Sequence, residues 1–343
     1  MGGERGEASV ERVLLAHGGG GRKSAQLISG VMLAAFDNPA LSELADGGVV
    51  ELGGVRIAVS TDSHIVSPIF FPGGDIGSLA VWGTVNDLAM CGATTGALAF
   101  AVIAAEGFPM DDLRRVVRSA GAAAERAGFA VITGDTKVVP AGEADGLFVT
   151  TTGVGPLAEG VDLRPARVRP GDAVLLSGPV GEHGVAVLSE REGLSFTADV
   201  SSDSAPLSRL VEDVLAACSD VHAMRDPTRG GVAAVLNEIA ARAGVSVEID
   251  EAAVPISDAV SGACELLGLD PLALPSEGRC LVFLPEADAG AALAAMRGNE
   301  LGGGAVRIGS VTAGAAGMVS AATPVGGRRI VDMPPGELLP RIC

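Results

Sequence analysis

The sequence predicts an α/β protein with mixed sheets in two domains, followed by an extended, mobile C-terminal tail. Three observations predict it. From about residue 50 onward, apolar runs that read as strands alternate with segments of helical spacing. The chain of 343 residues is longer than one ordinary core requires. Residues 155–172 interrupt the alternation with Pro156, Pro165, Pro170 and several charges, as a boundary does. The expected divisions are an N-terminal segment with a glycine-rich loop over 1–46, a first domain over 47–157, a second α/β domain over 158–331 and the tail over 332–343.

The elements follow in order. Residues 55–60 form a β-rich run that delivers Thr61-Asp62-Ser63-His64 at its carboxyl end. After the turn Phe70-Phe71-Pro72-Gly73-Gly74-Asp75, residues 76–91 carry apolar side chains at helical spacing with Gly92 as the stop. Asn86 and Asp87 lie near the end of that helix. A buried strand at 97–105, an amphipathic helix at 111–127 closed by Gly128, and strands at 129–133 and 147–154 complete the first half. The strand at 129–133 leads into Gly134-Asp135-Thr136-Lys137. In the second half, strands are expected at 173–177, 221–225, 245–249, 280–284, 305–312 and 317–321. Helices are expected after the loop 178–184 and at 206–217, 231–242, 257–267 and 286–297, and the serine-rich piece 195–204 reads as a surface loop.

Composition excludes several functions. A net charge of -18 is the wrong sign for a phosphate backbone, and no Tyr with one Trp leaves little for base stacking, so nucleic acid is not expected. The longest apolar run, 97–105, is about half of what crosses a bilayer, and the N-terminus lacks the apolar segment of a signal peptide. No membrane association is expected, and a cytoplasmic protein is. Cys91, Cys218, Cys264, Cys280 and Cys343 are scattered without the close pairs of a zinc site or disulfide framework. His17, His64, His183 and His222 lack metal-site spacing too, and only His17 and His183 suggest loop or phosphate-adjacent roles.

Three stretches carry possible chemistry. The run His17-Gly18-Gly19-Gly20-Gly21 is either a linker or a place where backbone amides approach an anion, and it matches neither the Walker nor the dinucleotide pattern. Asp62, Asp87 and Asp135 stand at the ends of separate elements with Lys137 beside the last. They are either ordinary cap and turn residues or a Mg²⁺ cluster, which wants carboxylate oxygens plus phosphates. The last ten residues, Pro-Pro-Gly-Glu-Leu-Leu-Pro-Arg-Ile-Cys, contain three prolines and can be neither helix nor central strand. Twelve residues reach roughly 40 Å when extended. Such an arm carries the thiol of Cys343 to a distant pocket, with Arg341 beside it, or it is merely a chain end.

Together these stretches resemble one family. His17 to Gly21, Ser60-Thr61-Asp62-Ser63, Phe70 to Gly74, Thr84 to Ala89, Val131 to Val139, Arg225-Asp226 with Thr228-Arg229-Gly230-Gly231, Cys264 to Asp270, Ser276-Glu277-Gly278 and the closing Pro340-Arg341-Ile342-Cys343 are similar, in order, to the HypE family of hydrogenase maturation carbamoyl dehydratases. The resemblance implies the two-domain fold of the aminoimidazole ribonucleotide synthetase and selenophosphate synthetase superfamily, with a homodimer formed through the first domain and ATP held between domains. It implies Mg²⁺ on Asp62, Asp87 and Asp135, and a nucleotide site of Gly18, Gly19, Gly20, Gly21, Asn86, Lys137 and Arg229. The implied reaction turns a carbamoyl group on Cys343 into a thiocyanate that supplies a cyanide ligand of [NiFe]-hydrogenase. The implied partners are a HypF-like carbamoyltransferase and an iron-carrying HypC–HypD-like scaffold.

The chemistry asks for further residues. An amide oxygen leaves poorly unless phosphorylated, so Lys137 is expected to offset charge on the transferred phosphoryl group. Glu277 is expected to be the catalytic base, with its pKa raised by burial. Two other readings compete: an ATP enzyme acting on a diffusible small molecule, and a non-catalytic scaffold that binds partners through its acidic surface and tail.

Overall fold

The computed structural model describes residues 12–36, 38–194, 200–336 and 339–343. It opens with helical pieces that the sequence pattern does not announce: α1 (Gly21–Leu27), a π-helical stretch Ile28–Met32, α2 (Leu33–Phe36) and α3 (Pro39–Ser42), the last capped by the Asn38 side chain. The first domain then contains β1 (Gly48–Leu52), β2 (Val55–His64), a hairpin of β3 (Phe70–Phe71) and β4 (Gly74–Asp75), α4 (Ile76–Met90), β5 (Gly96–Ala105), α5 (Met110–Ala127), β6 (Phe129–Val139) and β7 (Leu147–Pro156). Five strands form one sheet in the order β1-β2-β7-β5-β6, antiparallel except for the β5–β6 pair. The strand expected to end near residue 60 continues pairing to His64 opposite Val149, which puts Asp62 inside β2.

Helix α4 begins where the Asp75 carboxylate accepts the Gly77 and Ser78 N–H groups. Its residues are apolar around most of the circumference and nearly all buried, because it lies between the sheet and the second domain. Helix α5, by contrast, buries one alanine-rich stripe and ends at Gly128 in the left-handed region. Both helices cover the same face of the sheet. Among the described residues the other face is open, with Val59, Ile103 and Val154 exposed, and edge strand β6 is exposed beyond Phe129 for nearly its whole length.

The second domain comprises β8 (Asp172–Leu176), α6 (Glu182–Glu192), α7 (Ser208–Ala217), β9 (Ala223–Arg225), α8 (Gly231–Ala243), β10 (Ser246–Asp250), α9 (Asp258–Leu267), β11 (Leu281–Pro285), α10 (Ala289–Gly298), β12 (Val306–Thr312), β13 (Met318–Ala322) and β14 (Arg328–Ile330). Its seven-stranded mixed sheet runs β14-β13-β10-β12-β8-β11-β9. Alternation along β8 divides the interior: Val174 and Leu176 join the core under α8, whereas Ala173 and Leu175 join the one under α7 and α10. A third cluster joins the domains. It packs Val66, Phe71, Ile76 and Leu79 of the first against Val185 and Leu274 of the second, with Leu339 and Ile342 of the tail among them. The tail therefore lies docked in the junction, and among the described residues no helix is long and apolar enough to cross a membrane.

Candidate active site

Four carboxylates converge where α4 meets the second domain. Ligand atoms of Asp46, Asp87 and Asp226 all lie within 4.8 Å of one another. Asp62 is near enough for its charge to raise the pKa of each. Asp46 comes from the loop before β1, Asp87 from α4, where Ser60 donates to it at 2.6 Å, and Asp226 from the turn after β9. Burial raises the pKa of Asp46 and Asp87 well above the carboxylate range and that of Asp226 to about 6. Arg225, 2.7 Å from Asp46 and 2.8 Å from Glu238, offsets only part of this charge. Asp46 Oδ2 and Asp226 Oδ2 are buried without hydrogen-bond partners. An all-oxygen donor set with orphaned, mutually repelling carboxylates fits a hard divalent cation such as Mg²⁺.

Glu277 stands beside this cluster at 3% exposure, its Oε1 unpartnered. Burial raises its pKa well above the usual value, and Asp226, Asp203 and Asp62 add to the effect while Arg229 opposes it. The turn is held by its backbone: Glu277 N–H donates to Asp203 Oδ1 at 3.0 Å and Glu277 C=O accepts from Asn86 at 3.1 Å. Gly278 is required there, since a Cβ would stand 1.9 Å from the Asp203 carbonyl oxygen. Asn86, expected at the nucleotide, has its side-chain amide engaged with the protein backbone. Its amide also donates to Ala205 C=O and accepts from Leu207 N–H, because α4 is buried against that segment. Part of the expected surface loop belongs here too: residues 195–199 lie outside the described residues, but Ser202, Asp203 and Ser204 build the wall behind Glu277.

The tail reaches the same place. Cys343 is half-buried, its main-chain carboxylate oxygen accepting from Ile65 N–H at 3.1 Å, and its charge is the largest cause of the raised basicity of Arg229, followed among neighbouring charges by Asp62, Glu277 and Asp87. The glycine loop touches the tail's base. Gly20 and Gly21 both have positive φ, Arg22 N–H donates to Pro334 C=O at 3.1 Å, and a Cβ on Gly21 would approach that oxygen to 2.3 Å. Gly18 C=O accepts from Arg229 at 3.3 Å, and Gly19 lines a narrow cleft with Arg229, Gly336, Leu339 and Ile342. His183 is not a loop residue but lies in α6, fully buried against the tail. Burial of Leu339 and Ile342 favours docking by about 3–6 kcal/mol. Ordering the backbone of residues 339–343 opposes it by about 5–10 kcal/mol. The two are comparable, so hydrogen bonds decide where the tail rests.

Asp135 and Lys137 do not join the other carboxylates within one chain. In register, Asp135 sits opposite Ala101, then Thr150, then Ser63, whereas Asp62 is opposite Thr151. Three strand spacings, about 14 Å, separate β2 from β6, and alternation turns Asp135 to the open face. There it is exposed and pairs with Lys137 Nζ at 2.8 Å, which lowers its pKa.

Sequence reading thus missed Asp46 and left Asp226 without a role. Asp226 stood inside the Arg-Asp-Pro-Thr-Arg-Gly-Gly motif, a signal that was available. Asp46 sits in Ala-Asp-Gly-Gly, a composition indistinguishable from a surface turn. A stability consequence follows from the acidic cluster. For Asp226 the folded pKa, about 6, exceeds the ordinary 3.8, so its favourable contribution is complete below 3.8 and is lost as pH rises through 6. Without divalent cations, melting temperature is expected to rise by a few degrees between pH 8 and pH 6, and Mg²⁺ at pH 8 to give a similar gain. Asp226→Asn should raise the Mg²⁺-free value and remove most of the Mg²⁺ gain. Differential scanning calorimetry with and without EDTA measures both, and an unchanged Mg²⁺ response in Asp226→Asn removes that residue from the cation site.

Two family models match the chain: AIR synthase related protein, N-terminal domain, over residues 44–157, and AIR synthase related protein, C-terminal domain, over residues 169–320. The chain is 52% identical over 333 residues to carbamoyl dehydratase HypE of Cupriavidus necator, covering 97% of this chain and 95% of that protein. It is 42% identical to carbamoyl dehydratase HypE of Escherichia coli, covering 97% and 100%. Among solved structures, one of a HypE–HypF complex matches with TM-score 0.86 and 44% identity over 90% of this chain and 99% of that one. HypE in complex with ATP matches with TM-score 0.82 and 50% identity over 97% and 100%. Thiamine monophosphate kinase from Aquifex aeolicus, at TM-score 0.63 and 16% identity over 90% and 99%, shares the fold alone.

Proposed function

The chain belongs to the HypE family of carbamoyl dehydratases, ATP-dependent enzymes of hydrogenase maturation, and from that premise we propose how its own residues divide the work. Cys343 carries the carbamoyl group as a thioester-like S–C(=O)–NH₂. The observation that supports this is the docked tail, with Cys343, Arg229 and Glu277 at one domain junction beside the acidic cluster. The carbamoyl oxygen attacks the γ-phosphorus of ATP, the bond to the bridging oxygen breaks, and ADP leaves. Glu277 withdraws protons from the nitrogen as the C–O bond breaks, so oxygen departs with phosphate and a thiocyanate remains. Arg229 offsets negative charge at the phosphates, and the backbone amides of Gly18–Gly21 face them. Asn86 positions Glu277 through its C=O rather than touching nucleotide. Mg²⁺, held by Asp46, Asp87 and Asp226 with Asp62 alongside, would neutralise phosphate charge when bound.

Asp135 and Lys137 enter this scheme as contributions from a partner protomer. The open, partly apolar sheet face and the exposed edge strand β6 support a homodimer formed through the first domain. A relative is known in a HypE–HypF complex, and a HypF-like carbamoyltransferase is accordingly the proposed source of the carbamoyl group. An iron-carrying HypC–HypD-like scaffold is the proposed acceptor of the cyanide, in the cytoplasm.

The test is intact mass. A chain loaded at Cys343 and given ATP with Mg²⁺ is expected to lose the mass of one water, and Cys343→Ala to show no change. Full-rate ATP turnover by Cys343→Ala with a free amide substrate supports a small-molecule enzyme instead, and absence of ATP binding supports a scaffold.

A further inference from the structure

Between the body of the protein and residues 340–342, side chains of one helix hold main-chain oxygens of the tail. Helix α6 presents His183 and Arg191, eight residues and about 12 Å apart, along the docked segment. The Arg191 guanidinium donates to three carbonyls: Ser67 at 2.7 Å through Nε, Pro340 at 2.5 Å and Arg341 at 2.6 Å through its two terminal nitrogens. His183 Nε2 is 2.9 Å from the Ile342 carbonyl, and its Nδ1 is 2.8 Å from Ser202 Oγ. A carbonyl only accepts, so Nε2 carries the hydrogen, and the Ser202 hydroxyl donates to Nδ1. From the other side Ser67 N–H donates to Arg341 C=O at 3.1 Å, Arg341 Nε donates to Ile65 C=O at 2.9 Å, and the Arg341 guanidinium pairs with Asp145.

The held segment is not relaxed. Arg341 has φ 53, in the left-handed region that a non-glycine residue enters at some cost. The kink turns Ile342 into its apolar socket and brings Cys343 to the junction. Both carbonyls flanking Arg341 are gripped by Arg191, so the strained turn is sustained by that grip.

We propose that Arg191 and His183 are positioning residues that latch the tail by its backbone: engaged, they hold the kinked turn and present Cys343 to the active site; released, they let the tail leave for its partners. This rests on the reading of Cys343 as the carbamoyl carrier. The latch is read first by alkylation of Cys343 with iodoacetamide in the full, ATP-free chain, followed on the C-terminal peptide by mass. The other four cysteines are buried and do not interfere. It is read second by single-turnover dehydration of the loaded chain with ATP and Mg²⁺.

Arg191→Ala is expected to raise alkylation roughly tenfold and to lower dehydration by a similar factor, with ATP affinity within about twofold of the parent. Arg191→Lys, which keeps the charge but not the fork, should recover part of both. His183→Gln, whose amide can donate to the Ile342 carbonyl, should stay nearer the parent than His183→Leu. A purely structural role would instead move ATP affinity together with the rest and would not be rescued by the conservative variants. Parent-like alkylation in Arg191→Ala overturns the latch, whether or not the His183 variants fold. Failure of the parent itself to dehydrate counts against the carrier reading, since alkylation needs no turnover.

Discussion

Glu277→Gln is expected to bind ATP as the parent does and to lose dehydration by at least about a hundredfold, the usual contribution of a positioned base. The substitution is nearly isosteric. The hydrogen bonds that fix the turn, to Asp203 and from Asn86, use the backbone of residue 277 and survive it. What disappears is the buried, unpartnered carboxylate oxygen that can accept a proton. Burial and three neighbouring carboxylates raise the Glu277 pKa, so its basic form exists only above that raised value. The parent's single-turnover rate should therefore fall as pH drops through a point well above the ordinary carboxylate range. Asp203→Asn, which removes one of the charges raising that pKa while keeping an acceptor for Glu277 N–H, should shift this acid limb to lower pH. Thiocyanate formation at the parent's rate in Glu277→Gln would remove the residue from the role of base.

The sequence made some of this legible and concealed the rest for physical reasons. Helix α4 and strand β5 were plain because local apolar patterning dictates them, whereas the Ser-Glu-Gly turn stood out only through the family resemblance and the terminal cysteine could equally have been a mere chain end. The need for a buried Glu277 followed from the reaction, and the structure supplies that burial at 3% exposure. The metal cluster was a different matter. Asp46, Asp87 and Asp226 come from three separated segments, and their convergence depends on how α4 packs against the second domain, a long-range outcome that spacing does not encode. Asp135 does not meet the cluster within one chain, for the opposite reason. Its position after a strand looked equivalent to that of Asp62, but alternation along the sheet sends the two to opposite faces. Arg191 escaped notice because an arginine on an ordinary helix carries no motif, and His183 was singled out only for a loop or phosphate-adjacent role. Their function appears only when the tail lies across them.

The face assigned to Asp135 and Lys137 leads to the last expected result, a recovery of activity on mixing two inactive proteins. Lys137→Ala and Glu277→Gln should each be nearly inactive as homodimers, because every site lacks one component. In a two-fold dimer whose site takes Lys137 from one protomer and Glu277 from the other, a heterodimer contains one site with both defects and one with neither. Equal mixing with full subunit exchange makes half the dimers mixed, so about a quarter of the parent's sites are restored. If Lys137 instead serves its own protomer, every site in the mixture still lacks one of the two groups and activity stays at the level of the separate variants. Single-turnover dehydration after exchange, with mixing verified by native mass spectrometry, separates the two outcomes. The within-chain alternative would require Lys137 to cross three strands and pass from the open face of the sheet to the face packed by α4. Its present ion pair with Asp135 on the exposed edge is a weak, solvent-screened contact. That pair can be exchanged for phosphate oxygens when a second protomer brings its site within reach.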